Sequence, residues 1–328
     1  MSDQTLEQVL QQVEKALATP NAAGLAGSGM TLIRENLSPF ISRLTDKQTP
    51  LRDRLAREQG NGMAASWNVL TAMGVGNSPF AEGGTPTEDA SSYIRRTAVY
   101  KELGKKKSIT SRMLAAGRSF TDQEAEQTNV AMREVLQDEE YYIVNGDTGV
   151  SALQFDGLKV LITTNVTDDA NNALGFRTDL LDAEIAKLVN TYGVMPTAIY
   201  CNYNMKRAIN QSLAGDVRVN INQGAVDGLT TGLDIGYYQS MIGRLPIIPT
   251  FAIANDTLSF PGNTVTDIYV VTEKSSGENN IYMSDLYPLG KEMLAKVGAA
   301  INFMVTESTV LVVRAEEFCS RIANVRVA

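Results

Sequence analysis

The stretch "VGNSPFAEGGTPTEDASS", residues 75–92, decides how this chain folds, because it has few apolar side chains and yet lies between two strand-like segments. Before it, Trp67 and Thr71 alternate with polar neighbours, and after it Ile94 and Ala98 do the same. Alternation with a period of two is typical of β-strands, and the glycines and prolines between the segments are typical of a turn. The pattern predicts a two-stranded ribbon with a polar tip.

Such a ribbon lacks a core of its own. An isolated pair of strands is marginally stable in water, and ordering roughly 40 residues requires far more apolar burial than these residues supply within one chain. We therefore expect the ribbon either to be disordered in a lone chain or to be completed by neighbouring molecules.

The composition limits the function classes. With 328 residues, 44% of them apolar, the chain is long enough for one or two globular domains. No apolar run is long enough to span a bilayer, and the acidic N-terminus lacks a secretory core, so we expect a soluble protein of intracellular origin. The net charge of −8 argues against a protein that grips nucleic acid through its phosphates.

Catalytic and metal chemistry find little support in the sequence. The chain contains no histidine, which excludes Ser-His and Cys-His nucleophiles and removes the commonest metal ligand. Cys201 and Cys319 match no metal-binding or redox spacing and are interpreted as buried, inert thiols. We expect no catalytic, cofactor-binding or metal-ligating residues and therefore no enzyme.

The remaining periodicity predicts a mixed α+β chain. Residues 3–18 have helical spacing, and a glycine-rich linker follows them. Residues 120–145 predict a long helix with a capping box formed by Thr121 and Glu124 and with Gly146 as a left-handed C-cap. Beyond it, the segments "LKVLITT", "PTAIYCN", "YYQSMIGRLPIIPT", "TDIYVVTE" and "NIYMSD" predict strands. The segments "TDLLDAEIAKLVNTYG", capped by Thr178 or Asp179, and "YNMKRAINQSLA" predict helices, and the tail predicts two more strands.

Charge is distributed unevenly along the ribbon and the long helix. Residues 95–118 are basic, with only Glu102 against them, and residues 122–140 are acidic, with only Arg133 against them. Two solvated faces would explain this pattern. The alternative is that the ribbon of one copy lies on the helix of another, in which case the charges set register and orientation more than strength.

The order of these parts resembles the major capsid protein of tailed double-stranded DNA bacteriophages, the Hong Kong 97-type fold. The resemblance rests on "FAEGGTPTED" at the loop tip, "SIT" at Ser108–Thr110, "EEYYIVNGD", "FDGLKVLI", "PTAIYCNYNMKRAI", "SMIGRLPIIPT" and "STVLVVRAEEFCSRIANV". It covers essentially the whole chain, and the ordered series carries it rather than any one motif. A lysine and asparagine pair that crosslinks some relatives is not matched here.

The resemblance implies the domain organisation and the surfaces used in assembly. It implies an N-terminal arm at 1–55, an extension loop at 56–112, a peripheral domain at 113–150 and 297–328 with a spine helix at 120–145, and an axial domain at 151–296 with a loop at 216–232 near the capsomer axis. Extension-loop contacts would come from Trp67, Pro79, Phe80, Glu82, Arg95, Arg96, Lys101, Lys105, Lys106 and Lys107. Spine-helix contacts would come from Glu124, Glu126, Glu134, Asp138 and Glu139.

The function implied is a virion shell. Copies would form pentamers and hexamers of an icosahedral capsid, assembled in the host cytoplasm around double-stranded DNA without sequence-specific binding. The short N-terminal arm implies a separate scaffolding protein, and a portal and a decoration protein are further expected partners. Two alternatives stay open: an encapsulin-type cellular compartment of the same fold, and a carboxylate-dependent α/β enzyme.

Overall fold

The computed structural model describes residues 47–72, 79–85, 88, 90–117, 122–169, 176–216, 236–257, 264–296 and 298–327. The predicted helix at 3–18 and the predicted loop residues 217–232 lie outside these ranges. The helices are α1 (Pro50–Arg54), α2 (Ser111–Gly117), α3 (Gln123–Asn145), α4 (Leu158–Leu161), α5 (Thr178–Tyr192) and α6 (Tyr203–Asp216). None of these helices has the length and apolar character needed to cross a membrane.

Fourteen strands are described. They are β1 (Ala56–Gln59), β2 (Ala64–Ala72), β3 (Ser92–Val99), β4 (Lys101–Thr110), β5 (Val166–Asp168), β6 (Ala198–Cys201), β7 (Tyr237–Ser240), β8 (Gly243–Pro249), β9 (Thr264–Val271), β10 (Lys274–Ser275), β11 (Glu278–Asn279), β12 (Ile281–Met293), β13 (Ala300–Val313) and β14 (Ser320–Val327).

A four-stranded sheet with the order β1-β12-β13-β4 forms the first half of the body. β1 runs parallel to β12, and the other neighbours are antiparallel. Alternate residues of the inner strand β13, among them Phe303 and Val305, are completely buried. The strand that follows the loop ends at Val99, and β4, which begins at Lys101, pairs with β13 instead of continuing the ribbon.

The long helix α3 packs on β4 and β13 of this sheet. It begins at Gln123, and the Asp122 carboxylate accepts hydrogen bonds from the backbone N–H groups of Glu124 (3.0 Å) and Ala125 (3.2 Å). Asp122, and not the predicted Thr121, therefore caps the helix, as short acidic side chains do at this position.

The predicted left-handed cap at Gly146 is also wrong, because its φ is −56°. A glycine is needed there for a different reason. A Cβ on Gly146 would lie 2.1 Å from the carbonyl oxygen of Phe155 and 2.6 Å from that of Tyr142. The N–H of Gly157 donates to the carbonyl of Gly146 at 2.8 Å, so the two backbones run too close together for a side chain.

A six-stranded sheet with the order β5-β14-β9-β6-β8-β7 forms the second half of the body. All four residues of β6 are buried, which confirms the predicted buried strand. Helices α5 and α6 supply Leu181, Ile185 and Met205 to the same apolar cluster as Ile199. The segment "LKVLITT" contains the helical turn α4 and not the predicted strand, since a short apolar run does not distinguish the two.

The predicted helix is present as α5, but its predicted N-terminal cap is wrong. Arg177 precedes it without a side-chain cap, so neither Thr178 nor Asp179 has the predicted role. The helix ends at Gly193, whose φ of +66° is the left-handed conformation that glycine adopts at low cost.

Strand pairing crosses the domain boundaries predicted from the sequence. β12 lies within 151–296 but pairs with β13 of the C-terminal segment, and β14 lies in that C-terminal segment but pairs with β9. Each sheet therefore takes strands from both predicted domains. β4, which the prediction gave to the extension loop, belongs to the four-stranded sheet.

Candidate assembly surfaces

The ribbon formed by β2 and β3 is attached to the body at its base. The two strands pair antiparallel with Trp67 opposite Arg96. The indole N–H of Trp67 donates to the carbonyl of Arg314 at 3.1 Å, and an Arg96 guanidinium nitrogen lies 2.8 Å from Oε1 of Glu317. Ala65 and Ala98 also pack against the core, so one face of the ribbon base is fixed within the chain.

The outer part of the ribbon exposes large apolar side chains on both of its faces. Tyr93 and Ile94 are 67% and 52% exposed, and Phe80 at the tip is 58% exposed. The predicted contact residues Pro79, Glu82 and Arg95 are exposed as well. A cluster of exposed aromatic and aliphatic groups on a thin projection is typical of a surface that another protein covers.

The basic strand and the acidic helix meet inside one chain. The Lys105 ammonium lies 2.6 Å from Asp138, and the Lys107 ammonium lies 2.8 Å from Glu134. Lys101 donates to the carbonyl of Ala152 at 2.6 Å. The register of β4 against β13 places these lysines beside α3, so the complementary charges already pair without a second copy.

The remaining predicted residues lie in different surroundings. Lys106 is exposed, and Glu126 is half-buried. The Glu124 carboxylate lies 2.7 Å from the ammonium of Lys291 on β12. Glu139 is completely buried, where it pairs with Arg52 and Arg57 of its own chain. Its predicted place on a surface between copies is therefore corrected: it is an internal residue.

Glu139 and its neighbour Glu140 hold the segment that precedes the ribbon. We call residues 50–59, which comprise α1 and β1, the strap. The Glu140 carboxylate accepts hydrogen bonds from the N–H groups of Leu51 (3.2 Å) and Arg52 (2.7 Å) and from the Thr250 hydroxyl (2.7 Å). Burial raises the pKa of Glu140 and outweighs these hydrogen bonds.

Sequence reasoning missed this internal site, although a signal was present. Ala131, Val135, Glu139 and Ile143 recur every four residues and are all completely or almost completely buried. A carboxylate within such a stripe requires an internal cation. The cations come from Arg52 and Arg57, more than 80 residues earlier, and only the fold brings them to Glu139.

Two further acidic side chains, Glu316 and Glu317, make structural contacts. Glu316 accepts four hydrogen bonds from the backbone and hydroxyl groups of Thr163 and Thr164. Burial raises the pKa of Glu316, but these bonds outweigh it, so that the pKa lies below its usual value. Glu317 pairs with Arg96 of the ribbon.

The thiols and acidic groups of the described residues show no metal chemistry. Cys201 and Cys319 are free and buried, as predicted, and burial raises the pKa of each thiol to about 12. Among the described residues, no three histidine, cysteine or acidic side chains are grouped so that they could hold a metal ion.

Comparison with known proteins gives a match over almost the whole chain. A family model described as SU10 major capsid protein matches residues 11–326. No curated protein sequence matches the chain.

Solved structures share the fold at low sequence identity. The capsid of Cyanophage A-1(L) is 12% identical with a TM-score of 0.66, covering 90% of this chain and 98% of that one. The capsid of a native GTA particle is 14% identical with a TM-score of 0.64, covering 94% and 100%. The SrpI encapsulin of Synechococcus elongatus PCC 7942 is 13% identical with a TM-score of 0.59, covering 87% and 93%.

Proposed function

Because this chain belongs to the SU10 major capsid protein family, we propose that its copies form pentamers and hexamers that close into an icosahedral shell around double-stranded DNA. The family match confirms the resemblance inferred from the sequence. The chain is a capsid shell protein of the bacteriophage type, with the α+β fold of Hong Kong 97-like capsids. What we propose beyond this is the number of copies in each capsomer and the double-stranded DNA that the shell encloses.

One structural observation supports assembly most directly. The outer ribbon exposes Tyr93, Ile94 and Phe80, and the described body of the same chain does not cover them. When the projection of one copy lies on a different surface of the next copy, the contact between identical chains is heterologous. Heterologous contacts form a closed ring when the rotation from one copy to the next divides evenly into a full turn. We propose that the outer ribbon, including Pro79, Glu82 and Arg95, lies on an adjacent subunit.

The remaining predicted contacts are proposed in a narrower form. Five of these residues attach the ribbon base and β4 to the body of their own chain: Trp67, Arg96, Lys101, Lys105 and Lys107. Their proposed role is therefore to set the direction in which the ribbon projects. Lys106, which is exposed, stays a proposed contact with another copy. We propose that the acidic side chains of α3 form part of the surface that contacts another copy, while they keep their pairs within the chain. These residues are Glu124, Glu126, Glu134 and Asp138.

The domain names are proposed with the sheets as their cores. The four-stranded sheet and α3, which is the spine helix, would form the peripheral domain, and the six-stranded sheet with α5 and α6 would form the axial domain. Residues 1–55 would remain the N-terminal arm, and β2 and β3 would form the extension loop.

Further partners follow from the proposed shell. A portal and a separate scaffolding protein would act during assembly in the host cytoplasm, and a decoration protein would bind the finished surface. The interior would meet DNA without sequence-specific contacts, in keeping with the net charge of −8.

Particle analysis tests the proposal against both alternatives. The expressed chain should elute from a sizing column as a megadalton particle and appear as closed shells by negative-stain microscopy. A small oligomer would favour an enzyme instead and would overturn the shell. Virions containing this chain should hold DNA, whereas an encapsulin-type compartment would hold protein cargo.

A further inference from the structure

Glu307 is a buried carboxyl group for which the described part of the chain supplies no hydrogen-bond partner. It lies on the inner strand β13, is 1% exposed, and neither of its carboxyl oxygens has a partner among the described residues. Buried polar groups are nearly always paired, and an ionised carboxylate that is left unpaired in a protein interior is costly. The group therefore needs another explanation.

The charges around Glu307 come from four elements. Glu139 on α3 is completely buried, and Arg52 on α1 and Arg57 on β1 both pair with it. On β12, Asp285 lies 2.9 Å from Arg57 and accepts a hydrogen bond of 2.7 Å from the Thr309 hydroxyl. Tyr287 on β12 pairs with Ser308, so its side chain lies on the other face of the sheet from Glu307. On β4, Leu103 is the residue opposite Glu307, and the nearby Lys105 is occupied by Asp138.

Charge balance within this cluster requires one proton. Three buried carboxyl groups, those of Glu139, Asp285 and Glu307, share two guanidinium groups. The Asp53 carboxylate also lies 3.6 Å from Arg52, but its side chain is 68% exposed and solvent screens its charge. Both guanidinium groups are bound to Glu139, and Arg57 reaches Asp285 as well, so Glu307 is the member without a cation. A neutral Glu307 leaves the cluster balanced, whereas an ionised one leaves a net negative charge in the interior.

We propose that Glu307 is a proton-binding site of the folded subunit and that its proton keeps the strap attached to α3 and β12. An ionised Glu307 would compete with Glu139 for Arg52 and Arg57 and would repel Glu139 and Asp285. The two arginines are the strap's charged contacts with α3, so loss of the proton weakens the attachment of the segment that leads into the ribbon.

Glu307 is expected to gain and lose its proton near neutral pH. Burial and, to a smaller extent, the negative charges of Glu139 and Asp285 raise the pKa of Glu307 to about 7, although Arg57 and Arg52 oppose the shift. The chain has no histidine, so no imidazole titrates in the same range.

The sign of the pH effect follows from the direction of the shift. The folded state binds the proton more tightly than the unfolded chain, whose carboxyl pKa is 4.5. The contribution to stability is therefore complete below pH 4.5 and is lost as the pH rises through about 7. The difference of about 2.5 pKa units corresponds to a loss of up to about 300-fold in the folding equilibrium constant.

Chemical denaturation of the full chain, kept as unassembled subunits between pH 5 and 9, tests the proposal. The folding equilibrium of the wild type should weaken by up to about 80-fold across this range, because part of the full effect is already lost between pH 4.5 and pH 5. Glu307→Gln, which copies the protonated form, should remove most of that dependence and be more stable than the wild type at pH 8.5. The matched control Glu134→Gln, at a position of α3 where the side chain is 41% exposed, should keep the wild-type slope. Equal slopes for the wild type and Glu307→Gln would overturn the proposal.

A second measurement does not depend on how well the glutamine variant folds. Difference infrared spectra of the wild type should show a protonated carboxyl band that disappears with a midpoint near pH 7. Asp285→Asn should move the midpoint to lower pH, because it removes a negative neighbour. Hydrogen exchange of residues 56–59 should rise over the same pH interval. A band that disappears near pH 4.5, or exchange that does not change with the band, would overturn the site or its link to the strap.

Discussion

The ribbon and the four-stranded sheet both contain long antiparallel strands, but they are stabilised in different ways. In the sheet, β13 lies between two partners and beneath α3, and residues such as Phe303 are completely buried. In the ribbon, β2 and β3 pair only with each other, and Tyr93 and Ile94 remain exposed. Strand pairing alone therefore does not complete a structure. The sheet obtains its second layer from the same chain, whereas we propose that another copy covers the outer part of the ribbon.

The largest effect is expected from removing the outer ribbon. Deletion of residues 76–90 should leave a folded, soluble subunit, because the core contacts of the ribbon begin nearer its base. It should also abolish shell formation in negative-stain images. Glu82→Gln, a single change at the exposed tip, serves as a control that keeps the loop. Normal shells from the deletion would show that the ribbon does not need an external layer.

Matched isoleucine substitutions measure the difference between the two regions. Ile143→Ala, at a completely buried position of α3, should lower the free energy of unfolding by about 2–5 kcal/mol, since it opens a cavity. Ile94→Ala, at a position that is 52% exposed, should change it by less than about 0.5 kcal/mol. Denaturation of unassembled subunits gives both values.

The same pair of variants separates folding from assembly. If another copy covers the outer ribbon as proposed, Ile94→Ala should slow shell formation although the subunit keeps its stability. A large loss of subunit stability in Ile94→Ala would place that side chain in the chain's own core and would contradict the comparison.

A glycine pair tests how closely the body is packed at the end of α3. Gly146→Ala should cost about 1–3 kcal/mol of unfolding free energy, because its Cβ would lie 2.1 Å from the carbonyl oxygen of Phe155 and the backbone must move. Gly236→Ala is the control, since no atom of the described residues lies within 4 Å of the added Cβ. Equal stability of the two variants in thermal unfolding would show that the α3 terminus is looser than its geometry indicates.

Local pattern predicted the elements better than their ends and their partners. The buried strand at Ala198–Cys201 and the long helix followed from apolar spacing, and the family followed from the order of the parts. The role of Gly146 could not be predicted, because it depends on Phe155 of a later segment. Glu139 was misplaced for a similar reason: its arginine partners are far away in sequence, so its acidic character indicated solvent.

The smallest effect is expected from charge changes in the basic strand β4 and the acidic helix α3. Measuring it shows whether these charges pair within one chain or between chains. The side chains of Lys105 and Asp138 are 40% and 43% exposed, so the pair contributes at most about 1 kcal/mol. Lys105→Glu and Asp138→Lys should each reduce stability by about that amount, and the double variant should recover most of it.

A mixing experiment gives the direct answer. If the pair acts within one chain, a mixture of the two single variants should assemble no better than either variant alone, because every subunit still carries two like charges between β4 and α3. Recovery of assembly in the mixture would mean that Lys105 meets Asp138 of another copy, and the pairing seen inside the subunit would then be exchanged on assembly. Raising the salt concentration should reduce the differences among all the variants, because partly exposed charges are screened.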